Sequence, residues 1–251
     1  MVFEYRFYQA SDGRLDEEVE RMREVAILGA PQVPNGPPVF KESLFDRYGI
    51  PRPLGAWTAI SGPRQPLFGY IVRWNSLAER DAAFPPFWAD PLWHAVRSRT
   101  DAGSPLVDRI DTWLMNPSPV WAAVRKCGPD TPVGGVHEMR IHHTRAGYAH
   151  YLSAVLAEIE LPQCQAFGAV VLGVFDVVIG PKMPAIISFI AWPDYETQQR
   201  ARARLDVEPR LLQRMADDEV DAGGPIVLSV EHTLLQPVDY GVPAANFGMS
   251  A

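Results

Sequence analysis

One stretch of this chain occurs twice, with its turns in the same places. Leu54, Gly55, Ile60, Gly62, Pro63, Pro66, Ile71 and Trp74 fall, at one constant offset, on Leu172, Gly173, Val178, Gly180, Pro181, Pro184, Phe189 and Trp192. At the same offset Arg64 falls on Lys182, Asp90 on Glu208 and Pro91 on Pro209. Glycine and proline mark where a backbone turns, so shared spacing of both does not follow from similar composition. The chain reads as a tandem duplication: a first repeat at 1–119, a linker at 120–132, a second, diverged repeat at 133–240 and a tail at 241–251.

With 251 residues, 47% of them hydrophobic, each repeat can bury a core of its own. The net charge of −7 and the absence of a Lys/Arg run argue against a nucleic-acid partner. Cys127 and Cys164 share no metal or disulfide spacing, which suits a reduced cytoplasmic chain. The first residues, Met-Val-Phe-Glu-Tyr-Arg-Phe, lack a signal-peptide pattern. The longest apolar run, Ala166–Ile179, is broken by Asp176 and too short to span a bilayer, so no membrane partner is expected. A homodimer stays open, because an internal duplication neither needs nor forbids one.

Period and punctuation set the elements. Phe3, Tyr5 and Phe7 alternate with Glu4, Arg6 and Tyr8 as in a strand. A helix follows, then a loop over Ala30–Pro38 and a short helix over Phe40–Tyr48. Strands at Ala56–Ser61 and Leu67–Arg73 come next. Ser76 caps a helix that Pro85-Pro86 should break, and Asp90 with Pro91 starts its successor. Leu106–Met115 is the last strand. The second half predicts the same order, with strands at Val136–His143, Ala169–Ile179, Ala185–Ala191 and Ile226–Leu235. Its helices are expected at Tyr148–Ile159, stopped by Pro162, and at Asp194–Asp217, interrupted near Pro209. Each half is therefore a β-α-β-β-α-β unit. Such a unit leaves one sheet face bare, and two of them can cover each other as an eight-stranded α+β barrel.

Glu4-Tyr5-Arg6-Phe7-Tyr8, Gly55-Ala56-Trp57-Thr58, Ser76-Leu77-Ala78-Glu79-Arg80 and Ala89-Asp90-Pro91-Leu92-Trp93 follow one another in the first half. This succession resembles the NIPSNAP family of the dimeric α+β-barrel superfamily, over nearly all of residues 2–118. In the second half Glu138-Met139-Arg140 persists, while Glu208-Pro209 replaces Asp-Pro and Leu211 stands where Trp93 did. The resemblance implies two ferredoxin-like repeats, here in one chain, whose sheets form a single barrel-like unit. The wider superfamily includes cofactor-free oxygenases, isomerases, cyclase-like proteins and haem enzymes, which by analogy frames the functional choices.

If the apolar face of the first strand meets the helices, Glu4, Arg6 and Tyr8 point into the barrel, as do Glu138, Arg140 and His142 in the second copy. Ser229, Glu231 and Thr233 would join them, with Leu228, Val230 and Leu234 under the helices. Carboxylates and guanidiniums there need partners, so Glu4–Arg6 and Glu138–Arg140 are expected as bidentate pairs. Five of the six histidines (His137, His142, His143, His150 and His232) lie in the second half. His142, beside Glu138 and Arg140, is the leading general-base candidate. Asp176, in a Val/Ile-rich strand, is the second acid/base candidate. Arg140 and Arg6 are candidate oxyanion ligands. Tyr8 and Glu231 are candidate substrate contacts, and Trp57 with Phe175 would wall an aromatic site. No HExxH, CxxC or His-x-His spacing supports a metal. No P-loop, GxGxxG or GxSxG sequence occurs either.

Two functions from different classes follow. The first is a small-molecule enzyme without a tightly bound cofactor, performing proton transfer, cyclisation, rearrangement or oxygenation on an apolar aromatic substrate. The second is a non-catalytic ligand-binding or interaction protein. A haem enzyme using His150 or His232 as axial ligand is a further alternative.

Overall fold

The computed structural model describes residues 1–27, 43–126, 128 and 130–249. The loop expected over Ala30–Pro38, the start of the helix at Phe40 and Cys127 lie outside the described residues. Among the described residues, eight strands run in the order β1-β3-β2-β8-β5-β7-β6-β4 as one closed antiparallel barrel-like sheet, defined by β1 (Val2–Ala10), β2 (Gly55–Ser61), β3 (Leu67–Trp74), β4 (Val107–Pro117), β5 (Val136–Thr144), β6 (Val170–Ile179), β7 (Ala185–Trp192) and β8 (Val227–Pro237). The chain is α+β, as the duplication implied.

Residues 1–58, 64–112 and 238–242 make one compact unit; residues 59–63, 113–237 and 243–251 make the other. In the first, α1 (Leu15–Arg21) runs into a π turn at Met22–Ile27, α2 (Leu44–Arg47) is a single turn, and α3 (Leu77–Ala89) and α4 (Pro91–Thr100) follow β3. In the second, α5 (Pro119–Val124) precedes β5, α6 (Ala149–Val155) runs into a π turn at Leu156–Glu160 and then α7 (Leu161–Ala166), and α8 (Tyr195–Leu205) and α9 (Pro209–Asp221) follow β7. The repeat extends to backbone detail. Arg64 and Lys182 both take positive φ, at 68° and 55°, and Pro66 and Pro184 both follow cis bonds.

Local chemistry explains the boundaries. Ser76 Oγ accepts from Glu79 N at 3.1 Å and Asp90 Oδ1 from Leu92 N at 2.6 Å, so both expected caps form. Pro85 and Pro86 do not break α3. Both are exposed, as are Asp81 and Ala82, whose carbonyls they leave without a helical donor; water can take those acceptors while Ala83, Phe84 and Phe87 keep the buried face. Pro162 does not stop the helix; it sits at the start of α7, directly after the π turn.

The expected linker is not all loop: its first residues lie in α5, whose Val120, Trp121 and Val124 are buried. Nor is the tail peripheral: Phe247 sits 6.1 Å from the Phe175 ring and 6.0 Å from Phe189. Gly173 makes room for it, since a Cβ there would lie 2.8 Å from the Phe247 ring. The largest fully buried side chains include Trp57, Trp74, Trp113, Trp121 and Trp192, each an aromatic of the kind that removes roughly 150–250 Å² from water.

Among the described residues no helix is long and apolar enough to cross a membrane.

Candidate functional site

Strand β1 is buried along almost its whole length, so its alternation separates two buried faces of different chemistry. The polar face lies under the helices, the reverse of the expected orientation. Glu4 accepts from Trp74 Nε1 at 2.9 Å, from Arg80 of α3 at 2.8 and 3.0 Å, and from Arg6 at 2.9 Å. Arg6 Nε donates to Tyr8 Oη at 2.9 Å, and that hydroxyl is 3.2 Å from Tyr70 Oη. The Arg6 guanidinium also lies 4.9 Å from the Phe84 ring centre. Phe3, Tyr5 and Phe7 occupy the opposite face. The inversion follows from the partners: α3 and the end of β3 bring the guanidinium and indole N–H that a buried carboxylate requires.

The second unit repeats this with changes that alter its chemistry. Glu138 accepts from Trp192 Nε1 at 2.8 Å and from Arg202 of α8 at 2.9 and 2.8 Å, and His232 Nε2 lies 2.8 Å from its Oε1. Burial alone would raise the Glu138 pKa, but the His232 hydrogen bond and the Arg202 charge outweigh it and hold the carboxyl at about 2. The helix arginine has moved. At the repeat offset Arg80 corresponds to Gln198 and Phe84 to Arg202, so the guanidinium sits one helical turn later and replaces an aromatic ring.

This arrangement releases Arg140. The expected bidentate Glu138–Arg140 pair does not form: Arg140 stands 3.8 Å from Glu138 and 3.8 Å from Glu160, and its Nε has no hydrogen-bond partner. His142 takes the place of Tyr8. It is buried, and its Nδ1 also has no partner. Burial, with Arg140 and Arg202 nearby, pushes its pKa down to about 4 against the pull of Glu160, so the ring is neutral at pH 7. Glu160 enters from the π turn, where it accepts from Arg202 at 2.8 Å; Arg140 and Arg202 overcome its burial and lower its pKa.

Arg140, His142 and Glu160 line a cavity of about 210 Å³ whose other walls include Leu205, Leu211 and Met215. Drug-sized ligands occupy about 300–1,000 Å³, so this cavity suits a compact molecule with an apolar body and an anionic oxygen.

The remaining candidates lie elsewhere. Asp176, paired opposite Asn116, is half-buried, and its burial raises its pKa although Ser118 hydrogen-bonds to it. Trp57 packs against Tyr5 at 6.1 Å and Phe175 against Trp121 at 5.2 Å, as core. Glu231 lies 3.2 Å from His143 Nε2 and 3.1 Å from Lys182 Nζ. Arg6 and Tyr8 line a separate cavity of about 260 Å³ in the first unit.

The haem alternative fits poorly. His232 Nε2 is engaged with Glu138, and the His150 ring packs at a tilt against Tyr151, 4.3 Å away. The cavity beside His142 is smaller than cofactor sites usually are.

Sequence reasoning missed Glu160 and Arg202. Arg202 could have been found from the Phe84 position at the repeat offset, where an arginine replaces an aromatic residue. Glu160 carried no such signal, because its direction depends on the π turn.

Residues 43–120 match the NIPSNAP family model. No curated protein sequence matches the chain. Among solved structures, chlorite dismutase from Candidatus Nitrospira defluvii, as a double mutant, is similar with a TM-score of 0.54 at 9% identity, over 95% of this chain and 92% of that one. A monooxygenase-like protein from Fusobacterium nucleatum subsp. nucleatum has a TM-score of 0.52 at 8% identity, over 97% and 95%. An anthrone oxidase-like protein also has 0.52, at 12% identity, over 100% and 95%. At these identities the likenesses speak for the fold. Residues 43–120 thus resemble the NIPSNAP family, and the chain shares the fold of these solved structures.

Proposed function

We propose that the second unit's cavity binds a compact apolar molecule bearing a carbonyl or similar oxygen, and that the protein catalyses proton transfer on it without a tightly bound cofactor. The observation that carries this reading is the pair of unpartnered buried atoms, His142 Nδ1 and Arg140 Nε, at one cavity. A neutral imidazole can take a proton from a carbon next to a carbonyl. The C–H electron pair then moves to the carbonyl oxygen, and Arg140 stabilises the resulting enolate. Glu160 offsets the imidazolium charge. Enolate formation of this kind opens cyclisation, rearrangement and oxygenation alike. Glu138, with its oxygens engaged by Trp192, Arg202 and His232, positions Arg202 and the strand and takes no part in the proton transfer.

A second reading, non-catalytic binding, is favoured by one feature: the Glu138 network is as fully bonded as its Glu4 counterpart, as a structural anchor would be. Exchange of the α-hydrogens of 2-tetralone in D2O, followed by proton NMR, separates the two. The enzyme reading expects accelerated exchange, reduced about 10²–10⁴-fold in His142→Ala and about 10²–10³-fold in Arg140→Ala. Binding of 2-tetralone that shifts the His142 ring resonances without exchange would favour the second reading. A protein that neither binds nor exchanges the ketone would refute the site.

A further inference from the structure

The first unit's cavity is built differently, and its chemistry selects another ligand. Glu18 of α1 has no exposed surface and lines this cavity. Its Oε2 forms a close ion pair with Arg21, while its Oε1 has no hydrogen-bond partner. Arg21 is itself committed elsewhere, donating to Asp101 at 2.8 Å and Thr100 at 3.2 Å and lying 5.7 Å from the Trp93 ring centre. A buried acceptor without a donor is costly, so Glu18 Oε1 marks a place where an N–H or O–H from outside the chain is missing.

The walls around it are aromatic. Phe84 and Trp88 stack with ring centres 5.2 Å apart, and Phe87 lies 5.0 Å from Trp93. Trp88 is 47% exposed and forms the rim. Charge narrows the ligand class further. Arg6 is balanced by Glu4, and Arg21 is balanced by Glu18 and Asp101. Arg97 also reaches Asp101 at 3.3 Å. An already balanced cavity favours a neutral molecule over an ion.

We infer that this cavity is a second binding site, distinct from the one beside His142, for a neutral planar aromatic molecule with a hydroxyl donor, such as a phenol, whose O–H reaches Glu18 while its ring stacks on Trp88. Burial pushes the Glu18 pKa up to about 7 against Arg21, so the group can lose its proton near neutrality and become the better acceptor.

Isothermal titration calorimetry with the full chain tests this using 2-naphthol and its methyl ether, 2-methoxynaphthalene. The expected result is 2-naphthol binding at least about tenfold tighter than the ether, a ratio that one charge-assisted hydrogen bond supports. Glu18→Leu should bring the two probes to equal affinity. Trp88→Ala, at the exposed rim where folding is not at risk, should weaken both probes. His142→Ala should change neither. Equal affinities in the unaltered protein, or 2-naphthol binding lost in His142→Ala but kept in Trp88→Ala, would overturn the assignment. The His142 proposal would be untouched by the first of these results.

Discussion

Glu4 and Glu138 occupy equivalent places in the two units, and comparing what surrounds them shows how the same buried carboxylate can be held by different partners. Around Glu4 every neighbour serves the scaffold: Arg80, Trp74 and Arg6 all donate to it, and Tyr8 holds Arg6 from the other side. Around Glu138, Arg202 and His232 supply those contacts, and the strand arginine stands 3.8 Å away. One helical turn of movement by a single guanidinium leaves Arg140 available at a cavity. Replacing Tyr8 by His142 then puts a neutral base where a structural hydroxyl had been. The lesson is that a carboxylate can be conserved by the fold while its partners are exchanged, provided the total of donors is kept.

The comparison breaks most visibly if the glutamates are removed. Glu138→Ala leaves Arg202 buried beside fewer acceptors and Trp192 Nε1 without one, so the loss should be about 3–5 kcal/mol. Glu4→Ala should cost a similar amount. Urea denaturation of both variants checks this. A loss under about 1 kcal/mol for Glu138→Ala, with a full loss for Glu4→Ala, would show that the second network is not the support inferred here.

Acid should affect the second unit first. His142 and His137 both have folded pKa values lowered to about 4 by burial, against about 6.5 unfolded. The unfolded chain therefore binds more protons between those values, and stability falls as the pH drops from about 6.5 to about 4. A shift of this size is worth roughly 3 kcal/mol per histidine. Glu138, at about 2 against an unfolded value of 4.5, adds a loss below about pH 4.5. The only histidine of the first unit is His94. Thermal melts from pH 7.5 to 4 should fall from about pH 6.5 downward. In His142→Asn the slope over that window should lessen; an unchanged slope would mean that His142 is not held neutral by burial.

A reciprocal exchange is the next test. His142→Tyr should return the second unit to the first unit's arrangement, its hydroxyl taking the Arg140 Nε as Tyr8 takes that of Arg6. Such a hydrogen bond contributes about 1–2 kcal/mol. The variant should therefore melt higher while losing 2-tetralone exchange. Retained exchange would remove His142 from the proposed chemistry.

What the sequence disclosed follows from which features are local. The Gly62-Pro63 and Gly180-Pro181 turns, and the caps at Ser76 and Asp90, act within four residues, and all were legible from spacing. The facing of β1 and β5 was not, because both faces are buried and alternation cannot say which one carries the helices. Pro85-Pro86 misled because the cost of a proline depends on whether the stranded carbonyls meet water, which is a tertiary fact. Arg140 and His142 were readable as candidates by residue type. That Arg140 Nε and His142 Nδ1 lack hydrogen-bond partners was not, because it depends on Arg202 and Glu160 arriving from separate helices.

The smallest contrast concerns one methylene. Asp90 and Glu208 precede α4 and α9 at equivalent positions, each followed by proline. The Asp90 carboxylate caps its helix through Leu92 N, while Glu208 makes no side-chain cap and instead approaches Arg204 at 3.4 Å. A glutamate side chain is one carbon too long to fold back onto the backbone N–H two residues on, where an aspartate reaches easily. Glu208→Asp should therefore restore the cap and stabilise the second unit by about 0.5–1 kcal/mol, partly offset by the lost contact with the exposed Arg204. Asp90→Glu should cost more than that gain, because Asp90 also accepts from Tyr48 Oη at 2.6 Å and Arg47 at 3.2 Å. Paired melts of the two variants decide the point: shifts of opposite sign support the capping account, and a destabilised Glu208→Asp would show that the Arg204 contact, not the cap, governs the start of α9.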